Sequence, residues 1–196
     1  MELFDIVDEK NRVNYEQLKN LVSKMSLSEF VEKAKHPMLV GKGLFDGIIR
    51  RKTGEGASTE TIRFSLNPMT AKVEKPPVHG EQPAGTMSQA IFVLAKKKYA
   101  RDDLNTFFIG RSAENDIVIA DFVVSKKHAS ITFSEGFYYL CDLGSTNGTR
   151  IEGMPIPQMS MNQLKTGNTI SFGRIGFVFA HPLAVYRGIR KEIYGA

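Results

Sequence analysis

From about Ser88 onward the chain alternates apolar and polar residues with period two, and polar turns break the alternation at short intervals. The segments are "AIFVLAK", "TFFIGRS", "NDIVIA", "ASITF", "FYYLCDL", "TISFG" and "IGFVFA". Period two places successive side chains on opposite faces of a strand. The pattern is clearest in Ala129, Ile131 and Phe133, and in Ile175, Phe177 and Phe179. In "GFYYLCDL" the same reading takes Phe137, Tyr139, Cys141 and Leu143 as the apolar set, with Cys141 as a small buried hydrophobe. Turn signals fall between the strands in "SEGF", "STNGT", "IEGM" and "KTGNT". A mainly β fold follows: an antiparallel β-sandwich over residues 88–185.

The region before it reads differently. From Tyr15 to Lys35 the residues Tyr15, Leu18, Leu21, Val22 and Met25 recur at three- and four-residue spacing, which predicts a helix. Ser26 with Glu29 three residues on is a capping box that opens a second short helix, stopped by His36-Pro37. Residues 1–52 are thus expected to form a small, mostly helical N-terminal extension. Residues 53–87 are rich in Gly, Pro and polar residues and read as a flexible linker, in which "TIRFSLNP" is a candidate short strand. Residues 186–196 are expected to be a basic C-terminal tail.

The chain has 196 residues, 26 Lys and Arg against 21 Asp and Glu, and a formal charge of +5. This leans toward an acidic partner, but it is far from the basic density of a dedicated nucleic-acid binder, so nucleic acid is not the expected partner. Lys96, Lys97 and Lys98 read as a solvated strand edge. The single cysteine excludes an internal disulfide and is compatible with a reducing compartment. "MELFDIVDEK" has acids where a signal peptide needs a basic start, and no stretch has the length of a membrane span. The expectation is a soluble cytoplasmic protein that does not engage a membrane.

His36, His79, His128 and His181 lie far apart, without ligand spacing to the cysteine, so no metal site is expected. "GKG" at Gly41–Gly43 lacks the rest of an NTPase phosphate loop and reads as a turn. No nucleophile with a base and no carboxylate pair appears, so the chain is not expected to be an enzyme, and no cofactor is called for.

Three segments place polar groups at strand ends where a sandwich has no need of them. In "FFIGRS", Gly110 breaks an apolar strand just before Arg111. In "VVSKKHAS", Ser125, Lys126, Lys127 and His128 sit ahead of an alternating strand. In "DLGSTNGTR", six residues carry no hydrophobic side chain. Taken alone, Asn147-Gly148 is a hairpin-turn signal, and Arg111 could serve a salt bridge with Asp116 or Glu114. Taken together on loops gathered at one end of a sandwich, an arginine, a serine, a lysine and a Thr-Asn pair are suitable donors for a phosphate monoester on a peptide. Gly148 is expected at positive φ.

"IGRS", "NDIVIADFVVSKKHASI", "DLGSTNGTRI" and "LKTGNTISFG" resemble the four successive blocks of a forkhead-associated (FHA) domain, a phospho-motif reader. The resemblance implies an FHA/SMAD-like sandwich. It also implies that Arg111 and Ser125 bind phosphate, that Thr146 assists, and that Asn147 fixes the peptide main chain beside a phosphothreonine. Gly110 and His128 take structural roles in the recognition loops. Lys126 departs from the Arg or Asn common at its position, and would meet a phosphate as a point charge. The function implied is a phosphothreonine-dependent adaptor in Ser/Thr kinase signalling, whose partner is a phosphothreonine-containing protein such as a kinase or its substrate. An alternative is a phospho-independent interaction or assembly module on the same scaffold. Thr59, with Ile62 three residues downstream, is a candidate phosphosite through which the module would bind its own N-terminal region.

Overall fold

A computed structural model of the chain describes residues 3–43, 90–96 and 104–195. In chain order these hold a 3-10 turn (Leu3–Ile6), strand β1 (Arg12–Val13), helices α1 (Tyr15–Lys24) and α2 (Leu27–Ala34), and strands β2 (Met38–Gly41) and β3 (Ile91–Val93). There follow β4 (Thr106–Gly110), β5 (Ile117–Val118), β6 (Ala129–Ser134), β7 (Phe137–Asp142), β8 (Thr149–Ile151) and β9 (Met154–Pro155). The last elements are β10 (Asn162–Leu164), β11 (Thr169–Phe172), β12 (Ile175–Ala180) and helix α3 (Pro182–Tyr194). The strands form a seven-stranded sheet, β1-β3-β2-β12-β11-β8-β9, and a five-stranded sheet, β10-β7-β6-β4-β5. Pairing is antiparallel throughout except between β4 and β5.

The inward sets of the two sheets make one core, which includes Leu39, Phe92, Phe107, Ile109, Ile131, Leu140, Phe172, Phe177 and Phe179. Alternation along β6 and β12 is as expected. In β7 the face is reversed: Tyr138 and Leu140 point inward, while Phe137 is 51% exposed. Both sets of "FYYLCD" are apolar enough to face a core, and pairing with β6 decides between them by setting Leu140 opposite Ile131.

A second core lies on the other face of the larger sheet. Strands β2 and β3 are buried on both faces. Leu39, Phe92 and Leu94 serve the sandwich, whereas Met38, Val40, Ile91 and Val93 join Leu18, Val22, Phe30, Val185 and Ile189 from the three helices. The helices expected in the N-terminal stretch are present. Asn14 caps α1 by accepting from Gln17 N, and Ser26 and Glu29 form the capping box of α2. The same stretch also supplies β2, seated between β3 and β12. "GKG" begins as the end of that strand rather than as a free turn.

Where a basic tail was expected from residue 186, α3 runs to Tyr194, with Val185, Tyr186 and Ile189 on its buried face. Helical spacing of these apolar residues among the basic ones is what buries them. Lys96 is likewise not a solvated edge residue: its Nζ lies 3.0 Å from Asp116 Oδ2 and donates to the Thr106 carbonyl at 2.8 Å. The linker, the candidate strand "TIRFSLNP", His79 and Thr59 lie outside the described residues, as do Lys97 and Lys98. Among the described residues no helix is long and apolar enough to cross a membrane.

Candidate functional site

The site begins at the end of β4, where the backbone comes too close to its neighbour for a side chain. A Cβ on Gly110 would lie 2.3 Å from the Lys126 carbonyl oxygen. The approach lets two loops join directly. Arg111 N donates to Ser125 O at 2.9 Å and Ser112 N to Lys126 O at 3.1 Å, and Asn115 Nδ2 ties Lys126 O at 2.7 Å to Ser112 O at 2.8 Å. Arg111 is thereby held beside Ser125. Its Nε donates to Val124 O at 3.2 Å, and the side chain is exposed. Among the described residues no carboxylate forms an ion pair with it. Asp116, the alternative partner, pairs with Lys96 and accepts from Phe108 N at 2.9 Å.

His128 joins this pair of loops to a third. Its ring is fully buried. Nδ1 accepts from Ser125 N at 3.0 Å, which places the ring proton on Nε2, 3.3 Å from the Gly148 carbonyl. Burial pushes the imidazole pKa down, partly offset by the Gly148 carbonyl and the Asp142 charge, so the neutral form is favoured.

In the third loop Thr146 and Asn147 are exposed, while Ser145 is buried. Ser125 Oγ accepts from Thr146 N at 3.0 Å, and Asn147 Nδ2 donates to Val123 O at 2.8 Å. One amide hydrogen of Asn147 is therefore engaged within the protein, although the residue as a whole is exposed. Gly148 has φ +73°, as expected of the turn. Arg111, Lys126, Thr146 and Asn147 are exposed and Ser125 is half-buried. The Lys126 carbonyl fastens the loops. Lys127 Nζ sits 4.2 Å from the Phe108 ring centroid.

Two contributors escape a reading of the sequence. Asp142 is fully buried at the end of β7. Its Oδ1 accepts from Gly144 N (2.9 Å) and Ser145 N (2.8 Å), and its Oδ2 from Ser145 Oγ (2.7 Å) and Thr149 Oγ1 (2.5 Å). Burial pushes its pKa up, but the hydrogen bonds outweigh this and hold the carboxyl below its ordinary range. The signal available was an Asp two residues before a Gly at a strand end, the pattern of an Asx turn. Gly173, at φ +59°, is the second. Its N donates to Gly148 O at 2.9 Å, and a Cβ there would lie 3.2 Å from Val123 O and 3.3 Å from Asn147 Cβ.

Two β-sheets stacked over one core, with three loops fastened together at one end, define a β-sandwich that presents polar donors on strand-end loops. Residues 107–173 match the family model of the FHA domain, and this part of the chain is an FHA domain. Among curated relatives, the oxoglutarate dehydrogenase inhibitor of Corynebacterium efficiens is 37% identical over 83 residues, 42% of this chain and 56% of that protein. The glycogen accumulation regulator GarA of Mycolicibacterium smegmatis is 31% identical over 77 residues, 39% of this chain and 47% of that protein. The chain spans about half the length of these two relatives. A structure solved in a study of phosphothreonine-dependent FHA domain interactions is 29% identical, with a TM-score of 0.36, over 39% of this chain and 76% of that one.

Proposed function

We propose that this protein is a non-catalytic adaptor that binds phosphothreonine-containing proteins in Ser/Thr kinase signalling. The observation that carries this reading is the gathering of Arg111, Ser125, Thr146 and Asn147 onto one rim, where backbone and side-chain hydrogen bonds join their loops and Arg111, Thr146 and Asn147 stay exposed. The Arg111 guanidinium supplies a planar fork for two phosphate oxygens, and Ser125 and Thr146 supply hydroxyl donors. Lys126 adds a mobile point charge. Asn147 meets the peptide main chain with its side-chain carbonyl and remaining N–H. Charge-assisted hydrogen bonds contribute about 1.5 to 3 kcal/mol each. Three or four of them, less the cost of ordering a peptide, come near the roughly 8 kcal/mol of a micromolar complex. Such an interaction is switched off by removing the phosphate.

The relatives named as an enzyme inhibitor and an accumulation regulator support a regulatory rather than a catalytic role. The partner would be a Ser/Thr kinase or one of its substrates. Thr59 would offer a second source of ligand within the chain, with tether length setting its effective concentration. Intact mass after kinase treatment checks that idea, which fails if no phosphate is found on the segment. For the main reading, a captured partner is treated with phosphatase. Release supports phosphate-dependent binding, and retention supports a phospho-independent assembly module instead.

A further inference from the structure

The turn from Asp8 to Arg12, in the N-terminal extension, holds its own shape. Asp8 Oδ1 accepts from Lys10 N at 2.8 Å and Arg12 N at 2.9 Å, while Asn11 N donates to Asp8 O at 3.0 Å and Asp8 N to Arg12 O at 2.9 Å. Asn11 is buried at φ +59°, a conformation that asparagine adopts more readily than most side chains. Both of its amide hydrogens leave the turn. Nδ2 donates to Ala95 O at 2.6 Å and to Asp116 O at 3.0 Å. Backbone bonds run alongside, from Val93 N to Asn11 O at 2.9 Å and from Val118 N to Lys10 O at 3.3 Å.

These partners lie in different sheets. Val93 ends β3 of the seven-stranded sheet, and Val118 ends β5, the outermost strand of the five-stranded one. The turn therefore clasps the two sheets together where the loop between β4 and β5 returns. That loop begins with Arg111 and ends in the buried pair Asn115-Asp116. Asn115 Nδ2 holds Ser112 O and Lys126 O, the contacts that keep Arg111 beside Ser125. Asp116 Oδ2 accepts from Lys96 Nζ and Phe108 N, and its carbonyl takes the Asn11 amide. Any shift of Asp116 moves Asn115 with it, and through Asn115 the mouth of the site. We infer that Asn11 is a positioning residue for phosphate binding: by holding the Asp116 carbonyl it sets the loop that carries Arg111, and so couples the N-terminal extension to the rim. This rests on the phosphopeptide reading above and adds to it a residue that governs the site without touching the ligand.

The test titrates a phosphothreonine peptide and its unphosphorylated form against the wild type, Asn11→Gly and Ile189→Ala, and follows amide hydrogen exchange in each. Glycine keeps the positive φ and removes only the amide. Asn11→Gly should bind the phosphorylated peptide about fivefold more weakly, narrow the ratio between the two peptide forms, and speed exchange of the Arg111 and Ser112 amides. Ile189→Ala, weakened in the second core, should do none of these. Coupling is reciprocal, so saturating the wild type with phosphopeptide should slow exchange of the Val118 amide that Lys10 holds. This last arm needs no variant and decides the matter if Asn11→Gly does not fold. Unchanged affinity and ratio in Asn11→Gly, the same losses in Ile189→Ala, or Val118 exchange unaltered by the peptide overturns the coupling alone. A wild type that binds both peptide forms equally overturns the phosphopeptide reading and the coupling with it.

Discussion

Gly110 has no room for a methyl group, because the Lys126 carbonyl it would strike is backbone and is engaged by two further donors. Gly110→Ala must therefore push apart the two loops that carry Arg111 and Ser125. The expected cost is about 2 to 3 kcal/mol, read as a lower melting temperature together with weakened peptide binding. His128 makes a second residue-scale prediction. Its folded pKa lies below the ordinary 6.5, so the unfolded chain takes up a proton at a higher pH than the folded one. Its contribution is complete above pH 6.5 and is lost as pH falls from there through the folded value. His36, also lowered by burial, acts in the same direction. Peptide-free protein should lose thermal stability between about pH 7 and 5, and His128→Gln should show a shallower slope over that window. An equal slope would remove His128 from the account. At this scale the sequence was informative where a residue type is rare in its context. Gly110, Arg111, Ser125, His128 and Asn147-Gly148 stood out as polar or special residues at strand ends. Asp142 did not, because an acid at the end of a strand is ordinary, and only the fold shows that it is buried under four hydrogen bonds.

Helix α3 shows how an element can be hidden by its composition. Arg187, Arg190 and Lys191 make the segment look like a basic tail, while Val185, Tyr186 and Ile189 form a buried stripe against α1 and α2. Tyr15 Oη donates to Glu192 Oε2 at 2.5 Å and Tyr186 Oη to the Met25 carbonyl at 2.8 Å, which ties the two ends of the chain together. Ile189 is 1% exposed. Ile189→Ala should cost about 3 kcal/mol of stability, measured by denaturant unfolding, while the affinity for a phosphopeptide stays at the wild-type level, since the second core lies on the face of the sheet away from the sandwich interior. A loss of affinity in the folded variant would mean that this core also shapes the recognition loops. Among the strands, β6 was legible because only one of its faces is apolar, and β12 because its bulkiest residues, Ile175, Phe177 and Phe179, fall on one face while Gly176, Val178 and Ala180 fall on the other. Strand β7 was not, because Phe137, Tyr138, Tyr139 and Leu140 are all apolar or amphipathic, and the choice of face is made by a neighbouring strand.

For the molecule as a whole, the sandwich could be read because its strands and turns are local signals that follow one another closely. The second layer could not, because it depends on partners distant in sequence: β2 pairs with β12, setting Leu39 opposite Phe179. Phosphate recognition at the rim of the sandwich is tested by one titration. A phosphothreonine peptide selected from an oriented library, its unphosphorylated form and its phosphoserine form are each titrated against the wild type and Arg111→Ala. The wild type should bind the phosphothreonine peptide in the micromolar range and lose most of that binding without the phosphate, and Arg111→Ala should bind about tenfold or more weakly at an unchanged melting temperature. Equal affinity for the phosphorylated and unphosphorylated peptides, or full affinity in Arg111→Ala, would contradict it.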